Sequence, residues 1–240
     1  MERKHFLKSL LAGVASAPAL LAACSKDDSP TPTTTTTTTD TVSTSGTCTA
    51  APTETEGPFP THTPSSYVRA DITDGKAGYK LTATLTVTNS NSSCAALAGV
   101  LVDIWHCDAE GNYSEYGGSG MQSTNYTAVH FLRGRQTTNA NGQVVFTSIF
   151  PGWYSGRATH IHVHVYSASG TSLKVTQIAF PEGTGTALAA VNGYSKGMTG
   201  YTSYKNDNVF SDDTAGIELA TVTGSTTAGF QLAFTVAVPA

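Results

Sequence analysis

Residues 79–88, Tyr-Lys-Leu-Thr-Ala-Thr-Leu-Thr-Val-Thr, put an apolar side chain at every second position over ten residues. A period of two is that of a strand with one buried face; a helix would scatter these side chains around its axis. The same signal recurs along the chain. Val100 to His106 is apolar on both faces except at Asp103 and His106, which predicts a central strand. Ala128 to Gln136 and Gln143 to Ile149 flank Asn139-Ala140-Asn141-Gly142, a run with turn chemistry. His160 to Tyr166 and Leu173 to Phe180 are expected to pair around Ser169-Gly170, and Phe230 to Val238 closes the chain with clean alternation. Residues 183–216, rich in Gly, Thr, Asn and Tyr, read as a long surface excursion with one short helix. The expectation is an all-β fold: a single β-sandwich domain of about eight short strands with long loops.

The N-terminal segment has a different character. Arg3, Lys4 and Lys8 precede an apolar run that ends in Leu21-Ala22-Ala23-Cys24. A charged start, a short apolar stretch and small residues before a cleavage point describe a secretory signal, too short for a membrane span. With a cysteine at the cut, the segment resembles a bacterial lipoprotein signal. That resemblance implies a signal peptide over 1–23 and lipidation of Cys24. An ordinary signal peptide or an N-terminal anchor that happens to contain a cysteine is the alternative. Ser25, and the surface-export-like Lys26-Asp27-Asp28, point past the inner membrane, to the outer membrane or cell surface of a Gram-negative bacterium. Residues 24–46, mostly Thr, Pro and Ser after the first few, form a flexible tether, leaving 47–240 for the folded domain. Only 12% of the chain is charged, the net charge is −4 and there is no basic block, which argues against a nucleic-acid partner. Setting Cys24 aside leaves Cys48, Cys94 and Cys107, one disulfide and one free thiol in an oxidising compartment. Cys48 paired with either Cys94 or Cys107 would fasten the N-terminal arm to the sheet.

Function is concentrated in residues 151–164, Pro-Gly-Trp-Tyr-Ser-Gly-Arg-Ala-Thr-His-Ile-His-Val-His. Side chains at i and i+2 of a strand share a face with Cα atoms roughly 6.5–7 Å apart, so His160 and His162 can reach one metal ion. Two imidazoles do not complete a site, and the neighbourhood offers Tyr154, Tyr113, Asp108 and His106 as further donors. No Asp or Glu follows the pair, as a zinc hydrolase or a cupin-type centre would want. Tyrosine is abundant instead, and a phenolate favours a trivalent ion, ferric iron first.

These motifs resemble the intradiol ring-cleavage dioxygenases, the catechol and protocatechuate dioxygenase superfamily. Trp105-His106 followed by Gly111-Asn112-Tyr113-Ser114 is similar to a family segment whose tyrosine binds iron. Arg157-Ala158-Thr159-His160-Ile161-His162 is similar to an Arg-Pro-x-His-Ile-His segment in which both histidines bind iron, and Thr55-Glu56-Gly57-Pro58-Phe59 resembles the element that opens the catalytic domain. Gln177, fifteen residues after His162, falls where the family carries an active-site glutamine. The resemblance implies a β-sandwich of the intradiol catalytic-domain type and a non-haem Fe(III) held by Tyr113, Tyr154, His160 and His162. It also implies a catechol-type substrate opened by O2 to a muconate-type diacid. Tyr154 would leave the metal and accept a substrate proton; Arg157 and Gln177 would stabilise developing charge; Pro58, Phe59 and Trp153 would line the pocket. Tyr154 stands only three residues before Arg157, as in compact secreted members, with Tyr126 and Tyr116 as alternative second tyrosines. Ala158 in place of the proline should alter only backbone stiffness. His164 matches no ligand, His106 reads as a buried hydrogen-bonding residue, and Trp105 and Phe146 read as core. Two other functions stay open: a tethered non-catalytic binding module of the same fold, and a Zn or Cu site on the histidine pair.

Overall fold

The computed structural model describes residues 48–118 and 120–240. The expected secretory signal, the expected lipidation at Cys24 and the expected 24–46 tether lie outside the described residues. Two antiparallel-dominated sheets face each other. The first is built from β1 (Lys80–Asn89), β2 (Ala95–Ala96), β5 (Gln143–Ile149), β8 (Thr221–Ser225) and β9 (Gly229–Val238). Its order is β2-β1-β9-β8, and β5 shares with β2 the free side of β1. The first and last long strands, β1 and β9, run parallel; the other pairs are antiparallel. The second sheet, order β4-β3-β6-β7, contains β3 (Leu101–Trp105), β4 (Arg133–Thr137), β6 (His160–Tyr166) and β7 (Ser172–Ala179).

The period-two reading of 79–88 becomes β1, with Leu81, Ala83, Leu85 and Val87 all fully buried. They meet Ile161, Val163 and Val165 of β6 and Phe230, Leu232, Phe234 and Val236 of β9 in one core. Phe146 belongs to it as expected, and β3 is central, between β4 and β6. The β6–β7 hairpin forms around Ser169-Gly170 as the pattern predicts. The turn at Asn139 to Gly142 has a different role from a hairpin, because β4 pairs with β3 and β5 pairs with β1. It carries the chain from one sheet to the other. Nor does β4 begin at Ala128. Leu132 takes a left-handed conformation (φ 56°), which an extended strand cannot pass through, and the ladder starts at Arg133. The excursion holds one short helix, α1 (Ala187–Val191), whose Leu188 and Val191 reach the core. Cys48 bonds Cys94, which pins the N-terminal arm beside β1, and Cys107 is the buried free thiol.

Strand β6 is buried on both sides. Its isoleucine and valines face the other sheet, so its histidines occupy the outer face, where solvent would be expected. Chain segments cover that face instead. Thr55 and Phe59 reach it from the N-terminal arm, and Tyr113 and Ser114 from the β3–β4 connection.

Candidate metal centre and active site

Across the outer face of the second sheet, register aligns Arg133, Trp105, His162 and Gln177 on four neighbouring strands. All four are buried. Trp105 lies flat on His162, ring centroids 4.8 Å apart and planes 3° apart. This tryptophan is a buried core residue, as expected, in a separate cluster with Phe59, Cys107 and Tyr113. His160, one step along β6, brings its Nε2 to 3.1 Å from His162 Nε2 and 3.2 Å from Tyr113 Oη. Tyr154 closes the group, with its ring 5.6 Å from that of His160 and 5.7 Å from that of Tyr113.

The donors suit a metal ion. Burial holds both imidazoles well below the usual histidine pKa; for His160 the nearby Arg157 adds to this, and for His162 the neighbouring His160 does. Both rings are therefore neutral and carry a lone pair. His160 donates from Nδ1 to the Ala158 carbonyl at 2.6 Å, which leaves its Nε2 as the donor to a metal. His162 Nδ1 is buried without a partner. Burial also pushes the Tyr113 phenol well above its ordinary pKa, and raises Tyr154 in the same sense against the pull of Arg157. A cation between them would reverse that preference by stabilising the phenolates. Among the described residues no group of three or more His, Cys, Asp or Glu is placed to hold a metal, so the further donors beside the histidine pair are the two phenols.

The two tyrosines differ in access. Tyr113 is fully buried, stacked on Phe59 (4.7 Å, 22°), and its backbone N–H donates to Gln122. Tyr154 is half-buried and lines an open cleft of about 430 Å³ with Thr55, Gly57, Pro58, Met121 and Arg157. Arg157 donates from Nη2 to Gln177 Oε1 at 2.6 Å, and its Nη1 stands 3.5 Å from Tyr154 Oη. Gln177 in turn donates from Nε2 to Thr55 O, tying β7 to the arm.

The family model described as Dioxygenase matches residues 56–211. The chain belongs to the intradiol ring-cleavage dioxygenases. An intradiol ring-cleavage dioxygenase from Tetranychus urticae superposes with a TM-score of 0.70 at 27% identity, over 80% of this chain and 96% of that one. The dioxygenase domain of a dioxygenase carbohydrate-binding protein fusion from Streptomyces sp. SirexAA-E gives 0.55 at 26% identity, over 79% and 97%. A 3-chlorocatechol 1,2-dioxygenase from Rhodococcus opacus 1CP shares the fold, with a TM-score of 0.53 at 19% identity over 78% and 72%. No curated protein matches the chain.

Of the candidate site residues, Tyr113, Tyr154, His160, His162, Arg157 and Gln177 come together, and Pro58 lines the cleft. Two expected pocket residues sit elsewhere. Trp153 packs beneath the 193–201 loop, its indole N–H donating to Gly197 O and the Lys196 ammonium 4.0 Å above its ring, so it is not a cleft wall. Phe59 lies one layer down, behind Tyr113. Of the alternative tyrosines, Tyr116 donates its hydroxyl to Pro60 O, and Tyr126 packs on Phe131 near Lys76. His106 is buried with Nε2 on Ser148 Oγ and Nδ1 at the Cys107 carbonyl, as a structural residue. His164 meets Glu56, Ser172 and Tyr166, away from the donor group.

Sequence reasoning missed three residues. Arg133 donates to the carbonyls of Phe59 and Ser114 and to the hydroxyls of Ser114 and Thr61, which joins the arm to the Tyr113 loop. Gly57 lies against His162. Asp207, from the supposed surface excursion, is fully buried behind Arg157. Arg133 and Asp207 looked like ordinary strand and loop chemistry, and Gly57 was noted only as part of the 55–59 element.

Proposed function

We propose that the protein is an extracytoplasmic, non-haem Fe(III) intradiol dioxygenase that opens catechol-type aromatics with O2. The observation that carries this reading is the convergence of two neutral imidazoles and two phenols behind a cleft lined by Tyr154 and Arg157, with Gln177 bonded to that arginine. A ferric ion held by Tyr113, Tyr154, His160 and His162 would supply the Lewis acidity that readies a bound catechol for O2, giving a muconate-type diacid that contains both oxygen atoms.

The chain's own residues divide the remaining work. Tyr113, immobilised by Phe59 and its buried backbone, serves as the permanent phenolate. Tyr154, which lines the cleft, would take a catechol hydroxyl proton on its Oη; a tyrosinate, with a solution pKa near ~10, is basic enough for that. Arg157 places positive charge beside the reacting ring, and Gln177 holds the guanidinium in plane. Phe59 and Trp105 keep water from the back of the site. Residues 1–24 support export and lipid anchoring through Cys24, so the substrate would be met outside the cytoplasm; Cys24→Ser should abolish incorporation of a labelled fatty acid and release the protein from membranes.

Iron-reconstituted protein should absorb in the visible from tyrosinate-to-ferric charge transfer, shift that band on catechol addition, and consume O2 with diacid formation. Tyr113→Phe should bleach the band and stop turnover. A colourless protein that retains no iron after reconstitution would overturn the proposal.

A further inference from the structure

Asp207 has no role in the reading so far, yet it is the most heavily engaged carboxylate near the site. It is fully buried, just after a 3-10 turn at Tyr204–Asn206. Arg157 Nε donates to both of its oxygens, at 3.0 and 2.9 Å. The Ala158 amide donates to Oδ2 at 2.6 Å, and the Val209 amide to Oδ1 at 2.8 Å. The first two donors belong to consecutive residues with different tasks. With Nε anchored, the Nη groups of Arg157 turn toward the cleft, one on Gln177 and one facing Tyr154. With its amide anchored, the Ala158 peptide is fixed, and its carbonyl accepts from Nδ1 of His160.

We propose that Asp207 is a positioning residue for ring cleavage, one carboxylate that sets both the direction of the Arg157 guanidinium and the orientation of His160. The proposal rests on the intradiol reading above. Ala158 is part of the device. Proline at this position would have no N–H to offer, so alanine contributes a hydrogen bond as well as a change in stiffness. A long, rotamer-rich arginine is effective in a transition state only when its geometry is set beforehand, and misplacement of a reacting group by an ångström costs about a hundredfold in rate.

Asp207→Asn removes the charge and one accepting oxygen while keeping the shape. In iron-loaded protein its kcat should fall about tenfold to a hundredfold, with iron content unchanged and the anaerobic dissociation constant for catechol, read from the visible band, within about threefold. In an Arg157→Gln background the same substitution should cost clearly less than in the parent, because the part of its effect that passes through the arginine is already gone and only the part through Ala158 and His160 is left. Iron-free protein gives an independent readout: the Arg157 Nε–H should be a slowly exchanging NMR signal that Asp207→Asn abolishes. Ala158→Pro removes the amide donor and stiffens the backbone there, and should lower kcat several-fold with the catechol constant preserved; it carries the test if the Asp207 variant does not fold. An unchanged kcat in a folded, iron-loaded Asp207→Asn protein overturns the proposal, and so does an equal loss with and without Arg157. If the wild type cleaves no catechol, the intradiol reading fails, whereas the NMR signal still reports on the anchoring of Arg157 itself.

Discussion

Gly57 lies so close to His162 that a β-carbon added to it would stand 2.9 Å from the ring's Cε1. The opposite constraint on that ring is Trp105, stacked on it at 4.8 Å. Gly57 also has φ 70°, a conformation that costs a non-glycine residue about 1–2 kcal/mol. Glycine is therefore required twice at this position.

Gly57→Ala should accordingly damage the site more than the fold. The ring must yield by a few tenths of an ångström, and the Nε2 that would bind the metal moves with it. Iron per chain after reconstitution should drop, and kcat should fall by about tenfold or more, while the unfolding midpoint shifts only by what about 1–2 kcal/mol allows. Full iron occupancy with kcat within twofold of the parent would contradict this account of Gly57.

Arg133→Met tests the covering layer. The guanidinium is sealed beneath the arm and the Tyr113 loop, and it lies 3.7 Å from Glu115, whose side chain is equally buried. Methionine fills some of the volume but leaves the Ser114 and Phe59 carbonyls and the Glu115 carboxylate short of a donor. Breaking a buried pair from one side costs about 3–5 kcal/mol, measurable by denaturant titration. A loss under 1 kcal/mol would mean that the cover does not depend on this residue.

The inward face of the sandwich could be read directly from the chain. Leu81 to Val87 and Ile161 to Val165 alternate because one side of each strand meets the other sheet, and alternation is a local property. The outward face of the second sheet could not. Arg133, Asp103, His164 and Gln177 carry the polar phase expected of a wetted surface, and nothing local records that the 55–67 and 107–131 segments bury them. Tyr113, Tyr154, His160 and His162, the candidate ligands, were picked out through motif spacing and resemblance alone. Asp207 was not, because a buried Asp in a Gly- and Asn-rich stretch has the same sequence appearance as an exposed one. Strand β8, mostly exposed and with a glycine at its fourth position, gave no alternation to detect.

Acid should destabilise the iron-free protein in a defined window. His160 and His162 have folded pKa values well below 6.5, chiefly through burial, and burial lowers His106 to about 4. Below the unfolded value near ~6.5 the unfolded chain binds protons that the folded chain refuses, so stability falls as pH drops from about 6.5 toward 4. Glu218 acts in the opposite sense. Burial raises its carboxyl to about 8, with repulsion from Glu54 and Asp213 adding to it, and Oε2 has no partner. Its contribution is present below the unfolded value near 4.5 and is lost as pH rises through about 8. Glu218→Gln should therefore be more stable than the parent at pH 8–9 and close to it at pH 4. Denaturant midpoints across this range decide the matter; a parent curve flat from pH 4 to 9 would contradict both assignments.

The cleft also makes a statement about substrates. Arg157 is the one cation among its described lining residues, and that guanidinium is already engaged by Asp207 and Gln177. A carboxylate on the aromatic ring would lose its water without gaining a free positive partner, a poor exchange for a charged group. The rim instead presents Pro58, Val209 and Met121, whose side chain is unusually open for a methionine at 69% exposure. With about 430 Å³ available, the cleft falls in the range of roughly 300–1,000 Å³ typical of small-molecule sites. Catechol and 4-alkylcatechols should therefore be cleaved with kcat/KM at least about tenfold above 3,4-dihydroxybenzoate, a difference of about 1.4 kcal/mol in transition-state binding. Met121→Ala should depress the alkylcatechols more than catechol itself, and Met121→Arg should narrow the gap to the acid by supplying the missing cation. Oxygen uptake across this panel is the measurement, and a preference for the carboxylated ring by the parent enzyme would refute the argument from charge.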